Sequence, residues 1–159
     1  MWEVNIYLRT TYHGPRPAEG WYCEVLETTV GEKKKTREHF GHAYGTANRI
    51  ALENLLDALG HMKEPAALSI YADSRYLVQG IGQLREWKTS GWVTKKGAEV
   101  KNKDLWTRIS TELERHLVSA EYTERTEYYN WQYGEMKRRM REEKEHEQKV
   151  KIMQLQHQD

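Results

Sequence analysis

The sequence predicts an α/β fold, in which helices flank a mixed five-stranded sheet and a helical extension follows at the C-terminus. Two observations carry this prediction. The residues before Thr46 form three strand-like segments separated by short polar turns, which suggests an antiparallel meander. From Thr46 onward, apolar residues recur at helical spacing, and two further short strands lie between helical segments. The order β-β-β-α-β-α-α-β-α places helices against the faces of one sheet.

The three N-terminal strands follow from alternation and from turn residues. Met1 to Arg9 alternates apolar and polar side chains, as a half-buried strand does. The segment TYHGPRPAEG holds two of the three prolines, so we expect a loop there, and WYCEVLE is the second strand. TTVGEKKK is predicted to be a turn and TREHFGHAY the third strand.

The middle of the chain contains two helix caps. Thr46 is the predicted N-cap of the first helix, and Ser74 that of the helix SRYLVQGI. Leu68 to Asp73, which precedes Ser74, is a short apolar segment and predicts a buried fourth strand. Leu84 to Lys103 is expected to be irregular because glycines interrupt it.

The C-terminal part predicts a helix, a strand and a long final helix. The helix is expected from Asp104 to Leu117, the fifth strand from Val118 to Glu124, and the final helix from about Asn130. We expect residues 1–141 to form the domain, and the charged segment 142–159 to be a helical tail running past it.

Composition limits the class of protein. The chain has 159 residues and a net charge of +1, so nucleic-acid binding would depend on local basic clusters. The single cysteine, Cys23, excludes an internal disulfide and fits a reducing compartment. No apolar run approaches the roughly 20 residues that cross a bilayer, and the N-terminus lacks a signal-peptide pattern. We therefore expect a cytoplasmic protein without a membrane partner.

Asp73 is the acid that points to a function, because it lies where a strand ends and a helix begins. Its segment YADSRYLVQGI is followed by LREWKTSGWVTKKG and VKNKDLWTRI, and preceded by VNIYL, HGPRPAEGWY and GTANRIALENLLDAL. With these motifs, residues 2–140 resemble the ribonuclease H family, in its cellular type-1 form with a basic protrusion. The resemblance implies a ribonuclease H-like sheet of three antiparallel strands and then two parallel ones. It also implies two-metal hydrolysis of the RNA strand of an RNA–DNA hybrid.

The family holds two Mg²⁺ ions with four carboxylates, and one of these is present here. The matching positions are Arg9, Ala51, Asp73 and Gly134. A single carboxylate holds Mg²⁺ poorly, so the resemblance implies a degenerate site with Asp73 as its remnant and no bound cofactor. Because strands one and four are neighbours in the family's sheet, we expect the Arg9 guanidinium to pair with Asp73 and to occupy the space of the metals.

Neighbouring acids leave an alternative open. Glu53 lies about 200° around the first helix from Ala51 and should face away, whereas Glu135 is about 100° from its matching position. Glu124 and Glu127 lie near the end of the fifth strand. The alternative enzymatic hypothesis is therefore an active Mg²⁺-dependent endoribonuclease that cuts RNA–DNA hybrids with relocated metal ligands.

The resemblance also implies a phosphate pocket, asparagines at the first helix and a basic protrusion with tryptophans. The residues matching these features are Thr46, Asn48, Trp87, Lys88, Trp92, Lys95, Lys96, Lys101 and Asn102. Simpler roles are open for each group: helix caps for Thr46 and Asn102, packing for the tryptophans, and a solvated turn for the lysines. A basic member of the pocket is replaced by Tyr44. The seven histidines form no ligand pair on a helix, so no metal role is expected for them.

The leading hypothesis is a catalytically inactive ribonuclease H-like protein that binds an RNA–DNA hybrid or a related double-stranded nucleic acid. A protein-interaction scaffold is the alternative from another class. In that case the C-terminal helix, with Met136, Met140, Val150 and Met153, would contact a partner or a second copy.

Overall fold

A five-stranded sheet with four helices forms the protein in the computed structural model, which describes residues 1–157. The elements are β1 (Trp2–Thr10), β2 (Ala18–Val30), β3 (Lys33–Gly45), α1 (Ala47–Gly60), β4 (Ala66–Ala72), α2 (Arg75–Thr89), α3 (Lys103–Leu113), β5 (Leu117–Tyr122) and α4 (Tyr129–Gln156). The predicted order of strands and helices is confirmed.

The sheet has the strand order β3-β2-β1-β4-β5. The first three strands pair antiparallel, whereas β4 pairs parallel with both β1 and β5. The predicted mixed sheet is therefore confirmed. Leu8 of β1 is level with Ala72 of β4, so Arg9 and Asp73 lie side by side where two parallel strands end.

Two apolar layers cover the sheet because side chains alternate between its faces along each strand. On one face, Ile6 and Leu8 pack with the buried side of α1 and with Trp106 of α3. On the other, Tyr7 and Cys23 pack against Met136 of α4. The Gln132 amide of α4 is also buried and donates to the carbonyls of Tyr7 (3.0 Å) and Cys23 (3.1 Å), which holds the start of α4 on the sheet.

Three predicted boundaries are wrong. The third strand begins at Lys33, because Gly31 at φ 64° closes a tight hairpin and the lysines after it pair with β2. The helix ending at Leu113 was expected to reach Leu117, but Leu117 pairs with Ala67 as the first residue of β5. The fifth strand was expected from Val118 to Glu124, but its pairing with β4 ends at Tyr122.

The fourth difference affects the candidate site. The segment expected to be irregular from Leu84 is helical as far as Thr89, because Leu84 is buried and Trp87 continues the same apolar side three residues later. Trp87 and Lys88 therefore lie on the last turn of α2, before the loop that holds the rest of the protrusion.

The C-terminal helix α4 has 28 residues, and its buried residues lie in its first third. None of the helices in residues 1–157 is long and apolar enough to cross a membrane.

Gly80 marks the closest approach between α2 and α3. A Cβ at Gly80 would lie 2.2 Å from Cζ2 of Trp106, a fully buried side chain that has little room to move. We expect Gly80→Ala to lower the free energy of unfolding by about 1–3 kcal/mol, because the clash exceeds the gain in helix propensity of about 1 kcal/mol.

Gly82→Ala is the matched control for this prediction. Gly82 lies on the same helix, and a Cβ there has no heavy atom within 4 Å. The Gly82→Ala substitution should raise the free energy of unfolding, measured in urea, by about 0.5–1 kcal/mol. Equal stability of the two variants would contradict the proposed close approach.

Candidate nucleic-acid interface

Asp73 occupies a buried position at the carboxyl end of β4, with 8% of its surface exposed. His13, from the loop after β1, places Nε2 3.7 Å from Asp73 Oδ2. The Tyr129 hydroxyl, from the start of α4, donates to the same oxygen at 3.5 Å. Burial raises the pKa of Asp73 to about 6, although His13 and Arg9 act in the opposite direction.

Arg9 lies beside Asp73 but turns towards α4. Its guanidinium carbon is 3.3 Å above the centre of the Tyr129 ring and 4.7 Å from that of Tyr133, and Nη1 donates to the Tyr129 carbonyl. Among the described residues, Arg9 makes no salt bridge with Asp73, so the predicted ion pair is wrong. The faces of the Tyr129 and Tyr133 rings contact the Arg9 cation in place of the Asp73 carboxylate. The prediction missed it because the start of α4 was not placed against β1.

Arg49, a residue that the sequence prediction did not include, contacts Thr46 through its backbone and Asn102 through its guanidinium. The Thr46 hydroxyl caps α1 by accepting from the Arg49 backbone N–H at 3.2 Å. The Arg49 guanidinium donates to Asn102 Oδ1 at 3.2 Å and pairs with Asp104 at 2.6 Å. Arg49 is in the motif GTANRIAL, so its position one turn after Thr46 was available as a signal. Arg49 therefore places a cation beside Asn102, paired with Asp104.

Asn102 is not a side-chain cap, which corrects one of the simpler roles considered for it. It has φ 57°, a conformation that asparagine tolerates better than most residues, and its side chain makes no capping bond to α3. Its amide nitrogen instead donates to the Tyr76 hydroxyl at 3.1 Å, and Trp106 Nε1 donates to the same hydroxyl at 3.0 Å. The amide is thus held between Arg49 and Tyr76.

The tryptophans of the protrusion are packed. Trp87 lies 6.3 Å from Trp92 and 5.5 Å from Trp106, between ring centres, and both Trp87 and Trp92 are only partly exposed. Trp92 has φ 67° and lies in the turn after α2. Packing therefore explains most of the surface of these side chains, and the exposed ring edges remain for a ligand.

The lysines are exposed. Lys88 pairs with Glu114, which follows α3, whereas Lys95, Lys96 and Lys101 have no salt bridge within the described chain. Asn48, the remaining candidate, is exposed on the first turn of α1. Lys101 is next to Asn102, so part of the basic protrusion is continuous with the Arg49 cluster.

Comparison with known proteins identifies the family. The family model described as RNase H matches residues 4–125. The chain belongs to the ribonuclease H family. It is 38% identical over 118 residues to Ribonuclease H of Shewanella halifaxensis, which covers 73% of this chain and 70% of that one. It is 39% identical over 111 residues to Ribonuclease H of Paracidovorax citrulli, which covers 69% and 71% of the two chains.

Solved structures in the ribonuclease H family share the fold. The crystal structure of LC9-RNase H1, described as a type 1 RNase H with the type 2 active-site motif, has a TM-score of 0.70 at 22% identity, covering 84% of this chain and 69% of that one. A foamy viral protease-reverse transcriptase in complex with RNA/DNA hybrid has a TM-score of 0.62 at 19% identity, covering 82% of this chain and 19% of that one.

The ribonuclease H family's Mg²⁺ ions do not fit the residues around Asp73. Ala51 is buried on α1, Gly134 is on α4 without a side chain, and the Arg9 cation lies beside the one remaining carboxylate. Mg²⁺ requires several oxygen ligands in octahedral geometry, and a guanidinium next to the site repels it.

The acids considered as replacement ligands are engaged elsewhere. Glu135 pairs with Arg138 at 2.8 Å, Glu127 pairs with Lys34 at 3.1 Å, and Glu124 accepts from the Tyr122 hydroxyl at 2.8 Å. Glu53 lines a surface pocket together with Tyr22.

Proposed function

We propose that this ribonuclease H-family protein binds an RNA–DNA hybrid, or a related duplex, without cutting it. The observation that carries the binding part is the contact between the Arg49 guanidinium and Asn102, next to the exposed Lys101. A guanidinium, an amide and an ammonium group together suit the phosphate backbone of a duplex. Named relatives are ribonucleases H, and one neighbouring fold is described in complex with RNA/DNA hybrid.

The inactivity part is supported by the surroundings of Asp73. One carboxylate with the Arg9 cation and the His13 imidazole as its neighbours is a poor ligand set for Mg²⁺. The Tyr129 ring, which holds Arg9, also donates its hydroxyl to Asp73, so the same side chain engages both the cation and the remaining carboxyl. We propose that Asp73 is a remnant of the family's catalytic centre and takes no metal.

Recognition is expected to rest on the shape and charge of the duplex. The candidate residues reach phosphates and groove edges with lysine, asparagine and arginine, which do not form a base-reading element in a major groove. Asp104 neutralises part of the Arg49 charge, so a few phosphate contacts should give weak and salt-sensitive binding. The cytoplasmic location inferred from the single Cys23 belongs to this proposal.

A binding titration tests the proposal. Fluorescence anisotropy of a labelled hybrid, of double-stranded DNA and of double-stranded RNA is measured between low and physiological salt. We expect measurable hybrid binding at low salt, and a log-log salt slope of about −0.9 for each phosphate contacted. The absence of binding to any duplex at low salt would contradict the proposal.

A charge-matched pair of variants locates the surface. Replacing Lys95, Lys96 and Lys101 by Ala should weaken hybrid binding by about tenfold or more at low salt and flatten the salt slope, because the phosphate contacts are lost. The control replaces Lys144, Lys149 and Lys151 of α4, which are equally charged and lie on the distant helix, and should change affinity little. Equal losses in both variants would indicate non-specific attraction.

The apolar residues at the end of α4 support a second candidate, a protein-interaction scaffold. Val150, Ile152, Met153 and Leu155 are exposed on a helix that continues past the sheet. Apolar side chains on an extended helix are typical of contact with another helix. We propose residues 142–159 as the segment for a partner or a second copy, of which 158 and 159 lie outside the described residues.

A further inference from the structure

Four ionisable side chains meet between α1 and the strands β2 and β3, well away from the protrusion. Glu24 and His39 are directly opposite each other on the two strands. Asp57 is on the last turn of α1 and His61 is the C-cap residue four positions later, so both lie on one side of the helix end. None of these residues belongs to the positions that match the family's catalytic acids.

The distances within this cluster suit a metal ion. His61 Nε2 is 3.9 Å from Glu24 Oε1 and 3.9 Å from Asp57 Oδ2, and the ligand atoms of the three residues all lie within 4.8 Å of one another. Two ligand atoms that each lie about 2 Å from one ion are at most about 4 Å apart. Small side-chain rotations are therefore sufficient to bring the three atoms around one ion.

Glu24 has an unsatisfied oxygen that points to a missing ligand. Its side chain has 0% exposure, and Oε1 has no hydrogen-bond partner among residues 1–157. Its other oxygen accepts from the Asn54 amide at 2.9 Å, in the amide orientation that satisfies both ends of that side chain. A buried carboxyl oxygen without a partner is costly, and a second carboxyl beside it adds repulsion.

Within the part of the chain that the structure describes, Glu24 and Asp57 form salt bridges with His61 alone. The His39 ring stacks on His61 with 3.5 Å between ring centres, and its own Nε2 is buried without a partner. It is therefore a further nitrogen donor beside the three.

We propose that Glu24, Asp57 and His61 bind a divalent first-row transition-metal ion such as Zn²⁺, with His39 as an additional donor. The mixture of imidazole and carboxylate ligands favours such an ion over Mg²⁺ or Ca²⁺, which take oxygen ligands. The ion links α1 to β2 and neutralises two adjacent carboxylates. Because α1 carries Arg49, this link supports the start of the candidate nucleic-acid interface. The sequence prediction missed the site because only pairs of histidines were considered as ligand pairs, whereas Asp57 and His61 pair a carboxylate with an imidazole.

Metal binding by the untagged full chain tests the proposal. Isothermal titration with Zn²⁺ after chelator treatment should give one tight equivalent per chain, and bound Co²⁺ should give visible absorption typical of nitrogen and oxygen ligands. Zn²⁺ should also raise the melting temperature. Absence of a tight equivalent would overturn the proposal.

Variants distinguish Zn²⁺ binding at this site from Zn²⁺ binding at other histidines of the chain. Asp57→Asn and His61→Ala should each weaken Zn²⁺ binding by at least tenfold, and circular dichroism establishes that they fold. The isosteric Asp57→Asn keeps the test decisive if His61→Ala unfolds. His146→Ala on α4 and the double variant His13→Ala with Asp73→Asn should keep the tight equivalent. Loss of binding in the double variant, with binding retained in Asp57→Asn, would place the metal at Asp73 and overturn the proposal.

Discussion

An RNA–DNA hybrid incubated with this protein and Mg²⁺ or Mn²⁺ is expected to remain uncut. Two-metal hydrolysis depends on carboxylates that hold both ions, and Asp73 is the one carboxylate among the four matching positions. Losing that stabilisation should slow cleavage by at least about 10⁴-fold relative to an active ribonuclease H, which is about 5.4 kcal/mol of activation free energy. The measurement is product formation from a hybrid labelled on its RNA strand, with an active ribonuclease H run in parallel.

The Asp73→Asn variant distinguishes an inactive protein from an active one with relocated metal ligands. If Asp73 has no catalytic role, the variant and the parent should give the same background. Asparagine also removes the carboxyl whose pKa is raised to about 6, so the variant should fold at least as well. Cleavage by the parent that disappears in Asp73→Asn would establish an active site with relocated ligands, and the inactivity proposal would be abandoned.

Replacing Glu24 by Gln is expected to stabilise the metal-free protein by several kcal/mol near pH 8. Burial, together with repulsion from the neighbouring Asp57 carboxyl, raises the pKa of Glu24 from 4.5 to about 10. The folded protein therefore holds a proton that the unfolded chain has lost above about pH 4.5. Stability is full below that pH and falls as the pH rises towards 10, by up to about 1.36 kcal/mol per pH unit.

The Glu24→Gln variant lacks this pH dependence because an amide has the same shape as a carboxyl group and does not ionise. Between pH 5 and pH 8 the parent should lose up to about 4 kcal/mol more than Glu24→Gln, on the linkage slope for one proton. Urea unfolding in the presence of EDTA at the two pH values measures the difference. Parallel pH profiles for the parent and the variant would show that Glu24 is ionised in the folded protein.

Glu27→Gln is the matched control, since Glu27 is a second buried glutamate on β2. Burial favours a raised pKa there, but hydrogen bonds from Tyr128 and Asn5 and the charge of Lys34 outweigh it and lower the pKa of Glu27. This carboxylate is stabilised in its charged form. Glu27→Gln should therefore destabilise the protein at neutral pH, by about 1–3 kcal/mol, which is opposite in sign to the effect at Glu24.

Predictions that depended on local pattern are mostly confirmed. Thr46 caps α1, and the parallel pairing of β1 with β4 follows the expected sheet. Caps and periodicities involve residues within a turn or two of each other, so sequence spacing contains them. The helix that ends at Thr89 is the exception, because the burial of Leu84 and the edge-on contact of Trp87 with Trp106 of α3 extend it.

The sequence predicted which residues belong to the candidate site, but not which side chains they contact. The sequence named Asp73, Thr46 and Asn102, and it showed that Arg9 replaces an acid. It did not indicate that Arg9 stacks on Tyr129, because the two residues lie far apart in the chain and meet only when α4 packs on β1. Aromatic and carboxylate partners are both open to a guanidinium, and geometry selects between them.

The sequence by itself determined the family, the order of the elements and the loss of three carboxylate positions, since these depend on which residues occupy a spaced motif. Only the tertiary structure decided which groups are desolvated and which side chains meet. Glu24, Asp57 and His61 look ordinary along the chain, and they converge because α1 lies across β2 in one register. The electrostatics of a carboxyl group depend on the groups around it in space, so its pKa and its ligands could be assigned only once the fold was known.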